Sequence, residues 1–430
     1  MPPEVEFYRT RFGLGPPLVA TPPRPNLGVV VVVPCHDEAS AETPLRALGA
    51  CRVPDDSAVE VVAVVNGTSE DPPETTGRDR ALAWVLGGRG PLANGVAVHS
   101  VAALDLSPQR AGVGLARKLG MDEALYRLSA AGALDGVIAS FDADCACDPD
   151  YLVALHGAFT RATRLAAAAV RFEHPIDRIS DALRRRAIAR YELGLRCYVD
   201  GLRRARYPNA FHTVGSAMAV RARDYAAVGG MNRRTAGEDF HFLHKVACSR
   251  PVASIADTRV LPSARPSHRV PFGTGRALRR LLSGDGEHRV YDPRCYDDLG
   301  RFVRGLAALG DDERRPDPPT IEREARVLVE ACAAPVAGYL LRAGFLDAAA
   351  ECAANTGAAT TLRARLLAWF HGLRALQVVH ALSDGLYPRV AVETAAARLL
   401  DVADGELDLE EALARLRERD RRAALSDLPQ

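Results

Sequence analysis

At 430 residues the chain is too long for one ordinary compact domain and long enough for two, or for one large domain with an appendage. Hydrophobic residues make up 48% and charged residues 25%, as in a globular protein with a sizeable core, and 55 Lys+Arg against 54 Asp+Glu argue against a generic nucleic-acid binder. No apolar run approaches the roughly 18 to 20 residues that cross a bilayer, and the opening Met-Pro-Pro-Glu-Val-Glu lacks the basic start and apolar stretch of a signal peptide, so a cytoplasmic protein is expected.

The first 26 residues, rich in proline, predict an irregular lead-in. A continuous β-branched run, Gly28 to Val33, then reads as a strand buried on both faces, ending at Pro34. The same signal recurs at Val59 to Val65, Val96 to Val101 and Gly136 to Phe141, with helical stretches around 40–51, 78–86 and 113–130 between them. Strand alternating with helix predicts an open, mostly parallel, Rossmann-like α/β sheet with helices on both faces. From Ile179 to Leu202 apolar residues recur at helical period, and the region 178–206 carries nine Arg. Those Arg predict a solvated face, with contact to an anionic acceptor or membrane surface as the alternative. A second basic stretch, 258–284, holds six Arg and no acid. From about 320 the composition turns to Ala, Leu and Arg, predicting helices near 320–333, 335–355, 359–383, 388–402 and 409–423. The nine Cys fit free thiols better than a disulfide framework. Cys145 and Cys147 have no second pair at zinc spacing, so they read as small buried residues.

Chemistry concentrates where predicted strands end. Asp142 and Asp144 close the fourth strand at i and i+2 and so point the same way, offering hard oxygen ligands to Mg²⁺ or Mn²⁺ beside a diphosphate; a solvated strand end is the plain alternative. The first strand runs into Pro34-Cys35-His36-Asp37-Glu38 and the second into Asn66-Gly67-Thr68-Ser69-Glu70-Asp71. Gly112-Val113-Gly114 opens a helix whose first turns carry Arg117 and Lys118, placed to meet a phosphate or base or else to decorate a helix surface. Downstream, Gly229-Gly230-Met231-Asn232 leads to Gly237-Glu238-Asp239-Phe240.

This ordered set resembles a family 2 glycosyltransferase of the GT-A fold, over about residues 27 to 282. The first strand end is similar to that family's Pro-x-x-Asn-Glu pattern, with Asp37 at the Asn position, and the second to its Asp-Gly-Ser-x-Asp loop, with Asn66 at the Asp position. The resemblance implies an inverting transferase using a UDP- or GDP-linked sugar, with Mn²⁺ or Mg²⁺ held by Asp144, Asp142 and a late His, assigned to His268. It places Asp239 as the catalytic base with Glu238 beside it. Pro34, His36, Glu38, Asn66, Arg117, Lys118 and Asp142 fall around the nucleotide sugar, and His212, Gly215, Ser216 and Gly230 on the acceptor side. Read from the residues themselves, His241 and His244 form either a candidate pair facing the same place or satisfied helix histidines, and Val270 to Arg276 either a basic lid or a plain loop. The implied organisation is a transferase domain over 27–285, with a nucleotide half about 27–145 and an acceptor half about 146–285, followed by an α-helical region 286–430. Two rivals remain: a retaining transferase acting on a small anionic acceptor, and a non-catalytic sugar-nucleotide or glycan binding protein.

Overall fold

The computed structural model describes residues 2–109, 111–234, 237–266, 273–284, 287–310 and 317–426, without the side chains of 425 and 426. A helix α1 (Pro3–Arg11) precedes β1 (Leu27–Cys35), α2 (Glu42–Gly49), β2 (Ala58–Thr68), α3 (Pro73–Gly87), β3 (Ala97–Leu106), α4 (Val113–Ala130) and β4 (Val137–Ser140). There follow β5 (Ala146–Cys147), α5 (Tyr151–Arg161), β6 (Ala167–Phe172), α6 (Ala182–Arg204), β7 (Met218–Arg221), α7 (Ala222–Ala227), α8 (Glu238–Ala247), β8 (Val252–Leu261) and α9 (Thr274–Ser283). Among the described residues these strands form one eight-stranded sheet in the order β3-β2-β1-β4-β7-β6-β8-β5. The pairings make β7 and β5 the strands that run against the rest. The fold is thus α/β on a mostly parallel sheet, as expected.

The valine runs explain the layering. In β1, Val29, Val31 and Val33 enter the core under α2, α3 and α5, while Val30 and Val32 enter the opposite core under α4, α7 and α8. Each fully buried valine contributes roughly 1.5 kcal/mol or more, so a strand apolar on both faces is stable only between two helical layers. Helix α4 lies close on the sheet because Gly120 has no side chain: a Cβ there would sit 2.3 Å from Val32 Cγ1.

Three regions depart from expectation. Within the predicted irregular lead-in, α1 buries Val5 and Tyr8 against α4 and α7. The predicted helix 335–355 is two helices, α12 (Ala334–Arg342) and α13 (Phe345–Ala354), broken at Gly344 with φ +73°. Likewise 359–383 is α14 (Ala359–Trp369) and α15 (Gly372–Gly385). With α10 (Arg294–Ala308) and α11 (Pro318–Glu330) these helices enclose a core that also takes in Leu202, Ala205 and Tyr207 from the end of α6. The last helices, α16 (Val392–Leu399) and α17 (Leu409–Ser426), return to α6 and α9 and form another core with them. A two-stranded ladder, β9 (Arg289–Val290) with β10 (Val390–Ala391), ties that return in place. No helix among the described residues is long and apolar enough to cross a membrane.

Candidate active site

The strands β1, β2 and β4 are parallel neighbours, so their carboxyl ends open at one edge of the sheet, where ligands of such folds collect. That edge receives His36 to Glu38, Asn66 to Thr68 and Asp142 to Asp144. Helix α4 starts nearby after Gly112, and α8 starts at Glu238 after Gly237, which adopts φ +69°.

Arg117, in the second turn of α4, gathers these pieces. Its Nε donates to Ser140 Oγ at 3.1 Å and its Nη2 to Asp142 Oδ1 at 2.5 Å, while Nη1 donates to Glu238 Oε1. The guanidinium is 4% exposed. Burial alone would weaken its hold on the proton, but the carboxylates of Asp142, Glu238 and Asp239 overcome this and keep it charged. Space for it comes from Gly215, where a Cβ would lie 2.5 Å from Arg117 Nη2. Ser216, the next residue, is buried beside the Cys145 thiol. Gly215 therefore backs the arginine, and Ser216 the Cys145 thiol.

Asp239 begins α8 with Glu238, and its Oδ1 accepts the Phe240 N–H at 2.7 Å. Burial, reinforced by the Glu238 charge, pushes its carboxyl up to about 6, against the pull of Arg117. A carboxylate held near neutrality is suited to taking a proton at physiological pH.

A second arginine, Arg265, completes the site from the segment after β8. Its Nη2 donates to Glu38 Oε1 at 2.8 Å and stands 3.6 Å from Asp144 Oδ2. Nothing in the sequence singled it out beyond its membership of the basic stretch 258–284. Asp142 and Asp144 are each about one-third exposed, at 35% and 33%. Two partly open hard carboxylates at a strand end fit Mg²⁺ or Mn²⁺. Cys145 behind them is buried, which drives its thiol far up and leaves it inert, as expected.

Other predicted residues lie in other surroundings. Pro34 is buried within β1, in register with Val64. The His36 ring approaches the Asn66 carbonyl at 2.9 Å and Asp79 Oδ2 at 3.4 Å, and Asn66 is itself buried. Lys118 points away from the strand ends. Its ammonium, 2% exposed, donates to both Asp122 oxygens at 2.7 Å and to the Tyr8 hydroxyl, a site inside α1, α4 and α7. Gly230 faces the same cluster, with Tyr8 and Tyr225 where its Cβ would be. His212 meets Asp420 of α17, Nε2 to Oδ2, at 2.9 Å. His244 stacks on Phe211 and abuts Gly372 of α15; burial pushes it down to about 4. His268 and the segment 270–272 lie outside the described residues. Most Arg of α6 meet acids of the C-terminal helices: Arg190 meets Glu393, Arg196 and Arg203 meet Asp420, and Arg204 meets Asp297 and Asp401. Arg196 is thereby buried rather than on the solvated face expected of it, whereas Arg186 and Arg204 stay exposed.

No protein-family model matches the chain, and no curated protein matches it. Among solved structures it is similar to S. aureus TarS, with a TM-score of 0.36 and 12% identity over 75% of this chain and 53% of that one. The chain thus spans about half the length of that protein. It is similar also to S. aureus TarS 1–349 in complex with UDP-GlcNAc (TM-score 0.34, 11% identity, 80% of this chain and 91% of that one). A mannosyltransferase, PcManGT from Pyrobaculum calidifontis in complex with GDP-Man and Mn²⁺, matches with TM-score 0.33 and 17% identity over 87% of this chain and 94% of that one.

Proposed function

We propose that the protein is a metal-dependent glycosyltransferase that moves a hexose from a UDP- or GDP-sugar to a hydroxyl acceptor with inversion. The observation that carries this reading is Asp239, half-buried at the start of α8, with its carboxyl raised to about 6 and its neighbour Glu238 tied by Arg117 to Asp142. In this reading Asp239 takes the proton of the acceptor hydroxyl as the acceptor oxygen bonds to the sugar's anomeric carbon and the bond from that carbon to the diphosphate breaks. A positioned base of this kind contributes roughly 10²- to 10⁴-fold. Asp142 and Asp144 would hold Mn²⁺ or Mg²⁺, which stabilises charge developing on the leaving diphosphate. Arg265 would exchange Asp144 for a phosphate oxygen, and Glu38 and Asn66 would border the nucleoside. Residues 27–285 would carry the transfer, with the nucleotide in the half 27–145 and the acceptor in the half 146–285, while 286–430 supports them.

Thermal unfolding with UDP, GDP, CDP and dTDP, each with and without Mn²⁺, tests this in wild type and Asp144→Ala. Ligand at 100 times its Kd stabilises by about 2.7 kcal/mol. A metal-dependent shift for one nucleotide, absent from the variant, supports the reading; no shift with any of them overturns it.

A further inference from the structure

A second group of ligating side chains lies at the same sheet edge and shares no residue with Asp142 and Asp144. His36 follows β1, Asp71 follows β2 and Asp79 sits on α3; one ligand atom from each falls within 4.8 Å of the others. Asp79 is fully buried, and although its Oδ1 accepts the Asp37 N–H at 2.9 Å, its Oδ2 makes no hydrogen bond. The group nearest that buried oxygen is the His36 ring, at ion-pair distance, so its charge is balanced either by a proton on that ring or by a cation held between the two. The position where a Gly67 Cβ would be lies 3.1 Å from Asp71 Oδ2 and 3.6 Å from Asp79 Oδ2, so both oxygens face a space kept clear by a glycine. His36 Nδ1 is 3.4 Å from Asp79 Oδ2 and 2.9 Å from the Asn66 carbonyl oxygen. Ligands at about 2.1 Å from a tetrahedral ion stand about 3.4 Å apart, so these spacings already approach those of a coordination shell.

We propose that His36, Asp71 and Asp79, with the Asn66 carbonyl as a further oxygen donor, bind one divalent ion of the borderline class that accepts both imidazole and carboxylate, with Zn²⁺ as the type. The donor set separates this site from the Asp142 and Asp144 pair, which offers oxygen alone. The ion enters from the side of His36 and Asp71, which are partly exposed. Once bound, it fastens the ends of β1 and β2 to α3 and stiffens the wall that carries Asn66 and Glu38.

The test is Zn²⁺ uptake by the full chain, measured by equilibrium dialysis with metal analysis, and Co²⁺ absorption as a report of coordination by nitrogen. Wild type and the Asp142→Asn/Asp144→Asn double variant are expected to take up one Zn²⁺ each with equal affinity. His36→Ala, Asp79→Asn and Gly67→Ala are expected to weaken uptake at least tenfold, and His36→Ala to change the Co²⁺ spectrum. His36→Ala removes a partly exposed ring and keeps the test open should Asp79→Asn fail to fold. Equal uptake by wild type and His36→Ala overturns the proposal, as does uptake that disappears in the double variant, or no uptake by wild type. None of these readouts depends on sugar transfer, so the transferase reading and this one stand or fall separately.

Discussion

Burial and the charge of Glu238 both favour the protonated form of Asp239 and raise its carboxyl to about 6, so near pH 7 it is ionised yet basic enough to accept a proton. The difference between 3.8 and about 6 corresponds to at most about 3 kcal/mol. Its sign follows from linkage. The folded state binds the proton more tightly than the unfolded state, so ionisation destabilises the fold above about pH 6, and this cost vanishes as pH falls below 3.8. Asp239→Asn is therefore expected to lower transfer by 10²- to 10⁴-fold. The same change should leave stability at pH 8 equal to or above that of wild type, an advantage that shrinks by pH 4. Urea melts at the two pH values, set beside a transfer assay, check this, and a loss of stability at pH 8 counts against it. In wild type the transfer rate should rise with pH through an apparent pKa near 6. At Gly215 the argument is steric: Gly215→Ala drives a methyl into the Arg117 guanidinium and releases Asp142 and Glu238. The expected cost is about 1–3 kcal/mol in stability with a larger proportional loss of transfer, read by denaturation and kinetics. Asp142, Glu238, Asp239 and Arg117 were each legible in the sequence, because an acidic pair at a strand end or a charge in a helix's first turns has a local signature. Arg265 was not, since its role depends on Glu38, 227 residues away in the chain.

The helix α17 shows the same contrast between local and distant information. Its periodicity was readable, but not its purpose. Asp420 accepts from Arg196, Arg203 and His212, while Arg417 reaches Glu192 and the His174 carbonyl. Glu192 and Arg196 are nearly inaccessible to solvent, so α17 supplies counter-charges to an arginine helix that reads, by itself, as a solvated or anion-facing stripe. Removing one partner of a buried network strands the others, which costs about 3–5 kcal/mol. Asp420→Ala should lose stability on that scale in denaturant melts, and a loss below about 1 kcal/mol would refute the buried-network account. Glu192 and Asp420 both lie below their ordinary values in the fold, because nearby arginine and histidine donors outweigh burial. Their contribution is thus complete above about pH 4.5 and is lost as pH falls, so α17 should detach in acid. Of the strands, β1, β2, β3 and β4 were readable as valine-rich or apolar runs. Alanine-rich β6 and Met-Ala-Val-Arg β7 were not, because alanine favours helix and β7 carries one β-branched residue where the equally short β4 carries Val137 and Ile138.

At the scale of the molecule, α6 joins what the sequence suggested were an α/β domain and a helical appendage. Its middle packs with α9, α16 and α17, its end packs with α10 to α15, and its Arg196 bonds to the Phe172 carbonyl of β6. The composition changes near residue 320 and the boundary at 285 was implied by the resemblance, but neither can report that the chain returns to cover an earlier helix. If the two parts shared only a linker, they would unfold separately, and a chain ending at 285 would fold. With α6 shared, that shorter chain leaves Leu193, Cys197 and Leu202 uncovered and Glu192 and Arg196 without Arg417 and Asp420. It should lack a cooperative melt and aggregate. In the full chain, a Trp84→Phe variant leaves Trp369 of α14 as the lone tryptophan, so fluorescence follows the helical region while far-UV circular dichroism follows the whole. The two transitions should coincide in urea. A separation between them, with a soluble and cooperatively folded 1–285 chain, would mean that the interface on α6 contributes little and that the C-terminal helices are an independent domain after all.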